Sequence, residues 1–305
     1  METSQRSLFN MTPPMRLALF LGATGISMIL GALISFSLVA ALLHISINDI
    51  QKIILEPEYA SIAQFANALA SIIAFGLPSI AVAYFTKGNL AQNMGFAPLK
   101  SIQQLALVVL LALAGLVLSG ALGSLTDKIP IPISFKNWAD GLEAQYKKAL
   151  VSMTQMHSIV DLLYALLAVA IVPAIVEELY FRGTLQKTLK DWTGKPILSI
   201  IVTALFFSAI HFSYYGFLSR MALGILLGLI YEFTKTIWLP ILLHFINNGI
   251  AIVTLYVVRN NPANVEKAMN ENLPIYWGLI ALVTIYFILS KLQKNNNHAG
   301  LEKGF

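Results

Sequence analysis

Long apolar runs separated by short polar turns dominate the chain, and the length of these runs sets the first expectation. Helices are predicted over residues 17–43, 61–86, 103–123, 158–189, 197–215, 217–234, 238–258 and 274–290. Most reach the ~20 residues that a helix needs to cross a bilayer. The expected fold is all-α: a polytopic membrane bundle of about eight transmembrane helices, forming one membrane domain over 1–305. No internal repeat or low-complexity segment interrupts it.

Two stretches carry a finer pattern. Between Gly123 and His157, the positions Phe135, Trp138, Leu142, Tyr146 and Leu150 recur every three or four residues, with Lys136, Asp140, Glu143, Lys147 and Lys148 between them. That is an amphipathic helix, expected to lie in the outer membrane interface. Surface packing is its plain reading; a lid or a partner-binding role is the functional one. In the sixth run Gly224 and Gly228 form G-x-x-x-G near Ala222. Small residues at this spacing let helix backbones approach closely, and packing within the chain is expected here rather than a dimer.

Composition agrees with the pattern. The chain of 305 residues is 57% hydrophobic and 11% charged, whereas soluble domains are about half apolar and a quarter charged. Most of its surface must therefore face lipid or other apolar helices. Cysteine is absent, which excludes disulfides, thiolate metal sites and cysteine catalysis. The net charge of +5 needs no nucleic-acid partner: no basic patch interleaved with aromatics occurs, and loops of membrane proteins collect Lys and Arg against anionic headgroups.

Arg6 and Arg16 precede a first apolar run that continues to about Leu43. The run is longer than the ~7–15 residues of a signal-peptide core, so an uncleaved first membrane helix is expected. With both termini cytoplasmic, twelve of the twenty basic residues fall on the inner side, Arg6, Arg182, Lys235 and Lys303 among them. The outer segments hold the rest, diluted by acids such as Asp140, Glu143 and Glu271. This bias predicts a multi-pass protein of the cell membrane with cytoplasmic termini.

The candidate chemistry lies where lipid makes charge expensive. A charge at the centre of a membrane helix costs at least ~2.5–3.5 kcal/mol on insertion scales. Even so, Glu177-Glu178-x-x-x-Arg182 follows the apolar run Ala165–Val176, while His211 and the segment His244-Phe245-Ile246-Asn247-Asn248 lie in later spans. Arg182 stands four residues after Glu178, the favourable order for a helical ion pair. Successive residues point about 100° apart, so pairing Glu178 with Arg182 makes Glu178 structural and leaves Glu177 available. Gly194, in the turn between the fourth and fifth helices, is equally far from Glu177 and His211, and an antiparallel hairpin would set those two at one height. The polar stretch Gln186–Lys195 is expected to project into the cytosol. His244 and Asn248 share a helix face, with Asn247 nearly as well placed.

Each motif also has a plain reading: a lone histidine in an apolar helix is more often a packing residue, and a lone Glu–Arg pair is often a helix staple. His44, His157 and His298 receive no role, and Asp161 and Glu232 are expected to reach the interface. Together, however, the groups can hydrolyse an amide. A carboxylate beside a histidine can take a proton from water. A second histidine and an amide NH₂ can hold an oxyanion. Two histidines and a glutamate are also a zinc ligand set, although no H-E-x-x-H occurs.

At these residues the chain resembles the CPBP family of CAAX-protease and bacteriocin-processing intramembrane endopeptidases. The resemblance rests on Glu177-Glu178-x-x-x-Arg182, Phe207-x-x-x-His211 and His244-x-x-x-Asn248, in that order, within a segment of about 175–250. Gly224-x-x-x-Gly228 followed by Thr236-Ile237-Trp238-x-Pro240 resembles the family's connection into the last motif. The resemblance implies an eight-helix bundle with a cytosol-open cavity and a metal-free site, with zinc as the alternative. In it Glu177 and His211 activate water, His244 and Asn248 hold the oxyanion, and Glu178 and Arg182 support them. The implied substrate is a membrane-associated or lipidated peptide, with membrane lipid as the surrounding partner. A non-enzymatic membrane protein (an immunity or scaffold protein, or a transporter) is the competing expectation.

Overall fold

The computed structural model describes residues 11–269 and 273–301, and all regular structure among them is helical. Arg6, Glu271 and Lys303, which entered the charge count, and the His298 side chain lie outside the described residues. Seven helices are long and apolar enough to span a bilayer: α1 (Pro13–Leu43), α2 (Pro57–Phe85), α3 (Gln103–Thr126), α5 (Ile159–Thr193), α7 (Phe217–Thr234), α8 (Trp238–Val258) and α10 (from Ile275). The chain is a multi-pass membrane protein. Amphipathic α4 (Ile133–Met153) and short α9 (Pro262–Met269) fill the connections. The fifth predicted span is shorter than expected. Helix α6 covers only Pro196–Ala209, about 21 Å at 1.5 Å per residue, so it stops within the bilayer's thickness and its remaining residues form a turn.

Local sequence explains the irregular helices. Helix α2 widens into π geometry over Ile72–Gly76, just before Pro78, and α5 does so over Leu166–Ile171, just before Pro173. Proline lacks an N–H, and its ring clashes with the carbonyl four residues back; the widened turn accommodates both effects. At the entry to α5, Ser158 and Asp161 form a capping box, with Asp161 accepting from the His157 and Ser158 amides. The expected interfacial acid is thus a helix cap. Gly194, at φ +66°, ends α5 and turns the chain into α6.

Helices α3, α5, α6, α7 and α8 surround a common core that includes Leu111, Phe181, Phe207, Leu227, Leu239 and Leu243, with Phe20 of α1 added from the side. Outward residues such as Ile26, Ile29, Leu163 and Tyr286 are apolar and more than 60% exposed, the arrangement a lipid-facing surface requires. Where α6 and α7 touch, Gly224 and Gly228 allow close approach: a Cβ at Gly224 would meet Ala204 at 3.0 Å, and one at Gly228 would meet Ile200 at 2.9 Å. The glycine pair therefore packs helices within one chain.

Candidate active site

The polar cluster begins in α5, immediately before a third π segment, Leu179–Gln186. Glu178 and Arg182 are completely enclosed and form the expected pair, with Arg182 Nη1 donating to Glu178 Oε1 at 2.6 Å. The arginine's second arm reaches across to α7, where Nη2 donates to the Gly224 carbonyl at 3.1 Å. One turn on, Gln186 Nε2 donates to the Gly228 carbonyl at 3.1 Å. Both contacts use the backbone that the small residues leave accessible. Gln186 and Thr188 are each 2% exposed, so of the polar stretch expected to project only the tip, residues 191–195, is exposed.

Aromatic residues close the cluster. The Arg182 guanidinium lies 4.8 Å from the Phe207 ring centroid, a cation–π geometry. Phe207 in turn touches the His211 and His244 rings, at centroid distances of 5.2 and 5.7 Å. One phenyl group of α6 thereby separates and orients both histidines.

Sequence spacing did not anticipate where His244 points. Its Nδ1 donates to Glu178 Oε1 at 2.9 Å, and its Nε2 lies 3.9 Å from Glu177 Oε2. An ionised carboxylate only accepts, so Nδ1 carries a proton and Nε2 faces Glu177. Among the described residues, Glu177 Oε2 is buried with no hydrogen-bond partner. The two adjacent glutamates thus differ as the helix-face argument expects. Glu178 is held through Oε1 by Arg182 and His244, its Oε2 being buried and unbonded as well, while among the described residues no hydrogen bond reaches the Glu177 carboxylate.

His211 lies beyond the end of α6, in a turn where Phe212 adopts φ +49°, rather than inside a span. Its Nδ1 is 2.8 Å from the Phe207 carbonyl. A carbonyl only accepts, so Nδ1–H donates and Nε2 keeps a free lone pair. No hydrogen bond or ion pair joins Glu177 to His211 among the described residues; the hairpin argument set them at one height, and His244 is the histidine within 4 Å of Glu177. Asn248, one turn after His244, accepts at Oδ1 from Asn247 Nδ2 at 3.4 Å, which leaves its own NH₂ to donate elsewhere.

The turn carrying His211 is latched to α4. Ser213 Oγ donates to Glu143 at 2.7 Å, Tyr215 donates to Asp140 at 2.6 Å, and Tyr214 packs edge-on against Phe135. Lys136 completes an i,i+4 pair with Asp140 at 2.7 Å. Hydrogen bonds from Lys136 and then Tyr215 hold the Asp140 carboxyl below the usual carboxylate range. At the opposite end of the bundle Glu232 is the hub of an ion triad, 2.7 Å from Lys190 and 2.5 Å from Lys235. Among the described residues no group of three His, Asp or Glu donors is arranged to hold a metal.

Fold and site together define an all-helical, multi-pass membrane protein with a buried cluster of carboxylates, imidazoles and a guanidinium contributed by α5, α8 and the turn after α6. Residues 159–250 match the family model described as type II CAAX prenyl endopeptidase, Rce1-like. The matched segment contains all three motifs and shows the resemblance read from them. The "Uncharacterized protein YpbD" of Bacillus subtilis (strain 168) is 36% identical over 81 residues, which is 25% of this chain and 38% of that protein. The match therefore spans well under half of the relative's length. No solved structure matches the chain.

Proposed function

We propose that this protein is an intramembrane endopeptidase that hydrolyses a peptide bond in a membrane-associated or lipidated peptide, without a metal. The observation that carries the reading is the asymmetry of the two glutamates. Glu178 is tied through Oε1 to both Arg182 and His244, whereas among the described residues no hydrogen bond reaches the Glu177 carboxylate, whose buried Oε2 faces His244. An unbonded carboxylate oxygen in an enclosed site is a base in need of a proton.

Glu177 takes a proton from a water whose position is shared with the free Nε2 of His211. The water oxygen bonds to the scissile carbonyl carbon, whose oxygen becomes anionic. His244 Nε2–H and the Asn248 NH₂ donate to that oxyanion. When the C–N bond breaks, Glu177 returns its proton to the departing amine. For His244 to donate through Nε2 while its Nδ1 donates to Glu178, both ring nitrogens must carry a proton.

Cleavage of quenched-fluorescence peptides by protein purified in detergent tests the reading. Glu177→Gln is expected to lower turnover by ~10²–10⁴, the usual contribution of a general base, and Asn248→Ala by ~10²–10³. Full activity in Glu177→Gln, His211→Ala and His244→Ala would remove the site. Chelator treatment of the unsubstituted protein should leave turnover unchanged, and loss restored by zinc would overturn the metal-free mechanism. A scaffold or immunity protein would instead keep its cellular function in Glu177→Gln, which preserves shape and removes the base.

A further inference from the structure

Beside the candidate site lies a cavity of about 990 Å³, walled by α3, α4, α7 and α8. Its size is at the upper end of ligand pockets. The lining is rich in hydrogen-bonding groups, Ser119, Ser213, Tyr215, Ser219 and Thr254 among them, which suits a peptide better than an acyl chain. Asn247 also lines it. That residue bonds to Asn248 and stands three positions after His244, so the cavity reaches the α8 face on which the proposed oxyanion donors sit.

Arg220, in the first turn of α7, faces this cavity. Among the described residues its side chain forms no hydrogen bond or ion pair, and its Nη1 is buried without a partner. The guanidinium lies 4.8 Å from the Tyr146 ring centroid on α4. A Cβ at Gly216 would sit 2.1 Å from its Nη1, so only glycine there leaves room for the arginine to fold against the cavity wall. Of the carboxylates that line the cavity, Asp140 is engaged by Lys136 and Tyr215, Glu143 by Ser213, and Asp127 lies exposed just beyond the end of α3. An unpaired arginine inside a membrane protein is costly and marks a site. A planar fork stacked on a ring is suited to a planar carboxylate.

We propose that Arg220 anchors a carboxylate of the peptide substrate, seated in the cavity under α4 with the scissile bond toward Asn248. This rests on the endopeptidase reading, and the test separates the two. Three dansyl-labelled pentapeptides of one apolar sequence carry a free C-terminus, a C-terminal amide, or an amide with an internal glutamate. Their binding is measured on the Glu177→Gln protein in nanodiscs, where no turnover is needed. At least one carboxylate-bearing peptide is expected to bind about tenfold tighter than the plain amide, and which one does identifies the source of the carboxylate. Arg220→Gln and Gly216→Ala should both abolish the difference, and Arg220→Lys should keep part of it.

Equal binding of all three peptides, or a preference that survives both Arg220→Gln and Gly216→Ala, overturns the proposal. So does an Arg220-dependent affinity for phosphatidylglycerol without any peptide preference. If Arg220-dependent binding appears but the unsubstituted protein cleaves none of the peptides, the carboxylate site stands and the endopeptidase reading falls.

Discussion

Removing the Arg182 guanidinium tests whether the buried cluster is held as one unit. The side chain is wholly enclosed and makes three kinds of contact: the 2.6 Å pair with Glu178, the bond to the Gly224 carbonyl, and the stacking on Phe207. Breaking a buried pair by deleting one partner costs about 3–5 kcal/mol, because the remaining charge is stranded. The carbonyl bond adds about 1 kcal/mol on its own, and the cation–π contact contributes on a similar scale. These contributions overlap, so the expected total for Arg182→Met is about 3–5 kcal/mol. Against net stabilities of about 5–15 kcal/mol, that is a large fraction. Glu178→Gln should cost a comparable amount, since it strands Arg182 and releases His244 together.

The double variant Glu178→Gln/Arg182→Met carries the decisive signal. Neutral replacement of a whole buried pair is often nearly neutral, so its cost should fall short of the sum of the singles by about 2–3 kcal/mol, a coupling typical of residues in one network. Denaturation in mixed detergent micelles, followed through the fluorescence of Trp138, Trp192, Trp238 and Trp277, measures all three. Single variants within about 1 kcal/mol of the parent, or additivity within about 0.5 kcal/mol, would refute the cluster as a stabilising unit. Arg182→Lys should fall between, because an ammonium cannot reach Glu178 and Gly224 with a fixed fork.

Further outcomes follow from the same coordinates. Gly183→Ala should destabilise by about 1–3 kcal/mol through overpacking, since its Cβ would lie 2.6 Å from the Met94 carbonyl; Gly141→Ala, in open space within α4, should stabilise by about 0.5–1 kcal/mol, both read by the same denaturation assay. Glu143→Gln combined with Ser213→Ala should lower turnover with little change in melting temperature, because the latch holds the turn that carries His211. The Asp140 carboxyl titrates lower folded than unfolded, so its stabilisation is full above about pH 4 and is lost as pH falls through the folded value. An acid melt of Asp140→Asn should lack that loss. Cysteines introduced at exposed Lys195 and Lys128 of this cysteine-free chain should label from the cytoplasmic and outer faces respectively, and the reverse pattern would invert the orientation proposed from the charge count.

The helices were legible in the sequence because apolar length is a strong signal. The predicted 217–234 and 238–258 coincide with α7 and α8. The fifth span was overextended because Ile210–Phe212 are as compatible with a membrane helix as with a turn; no Gly or Pro marks the break until Gly216. Within the cluster, the Glu178–Arg182 pair was legible because both residues lie on one helix at i,i+4. The tie between His244 and Glu178 spans 66 positions, and helical spacing has no term for it. Gln186 was misread for a related reason. Its polarity suggested solvent, but a buried carbonyl on another helix, exposed by Gly228, satisfies it. Arg220 carried a weak signal, a cation opening a helix on the expected outer side, and only the cavity beside it gives that charge a use.

The arrangement also explains how a membrane protein can keep a base unbonded. The Arg182 guanidinium lies against the Glu178 carboxylate, so the buried pair avoids the large cost of burying net charge. Arg182 serves Glu178 and the Gly224 carbonyl, and His244 uses one nitrogen on Glu178. The hydrogen bonds are therefore spent on Glu178 and the helix backbones, and Glu177, 3.9 Å from His244, does not share in them. A carboxylate oxygen without a donor at Oε2 is left free to accept a proton. Swapping the roles by sequence alone would fail, because the neighbouring position points about 100° away and loses the i,i+4 register with Arg182.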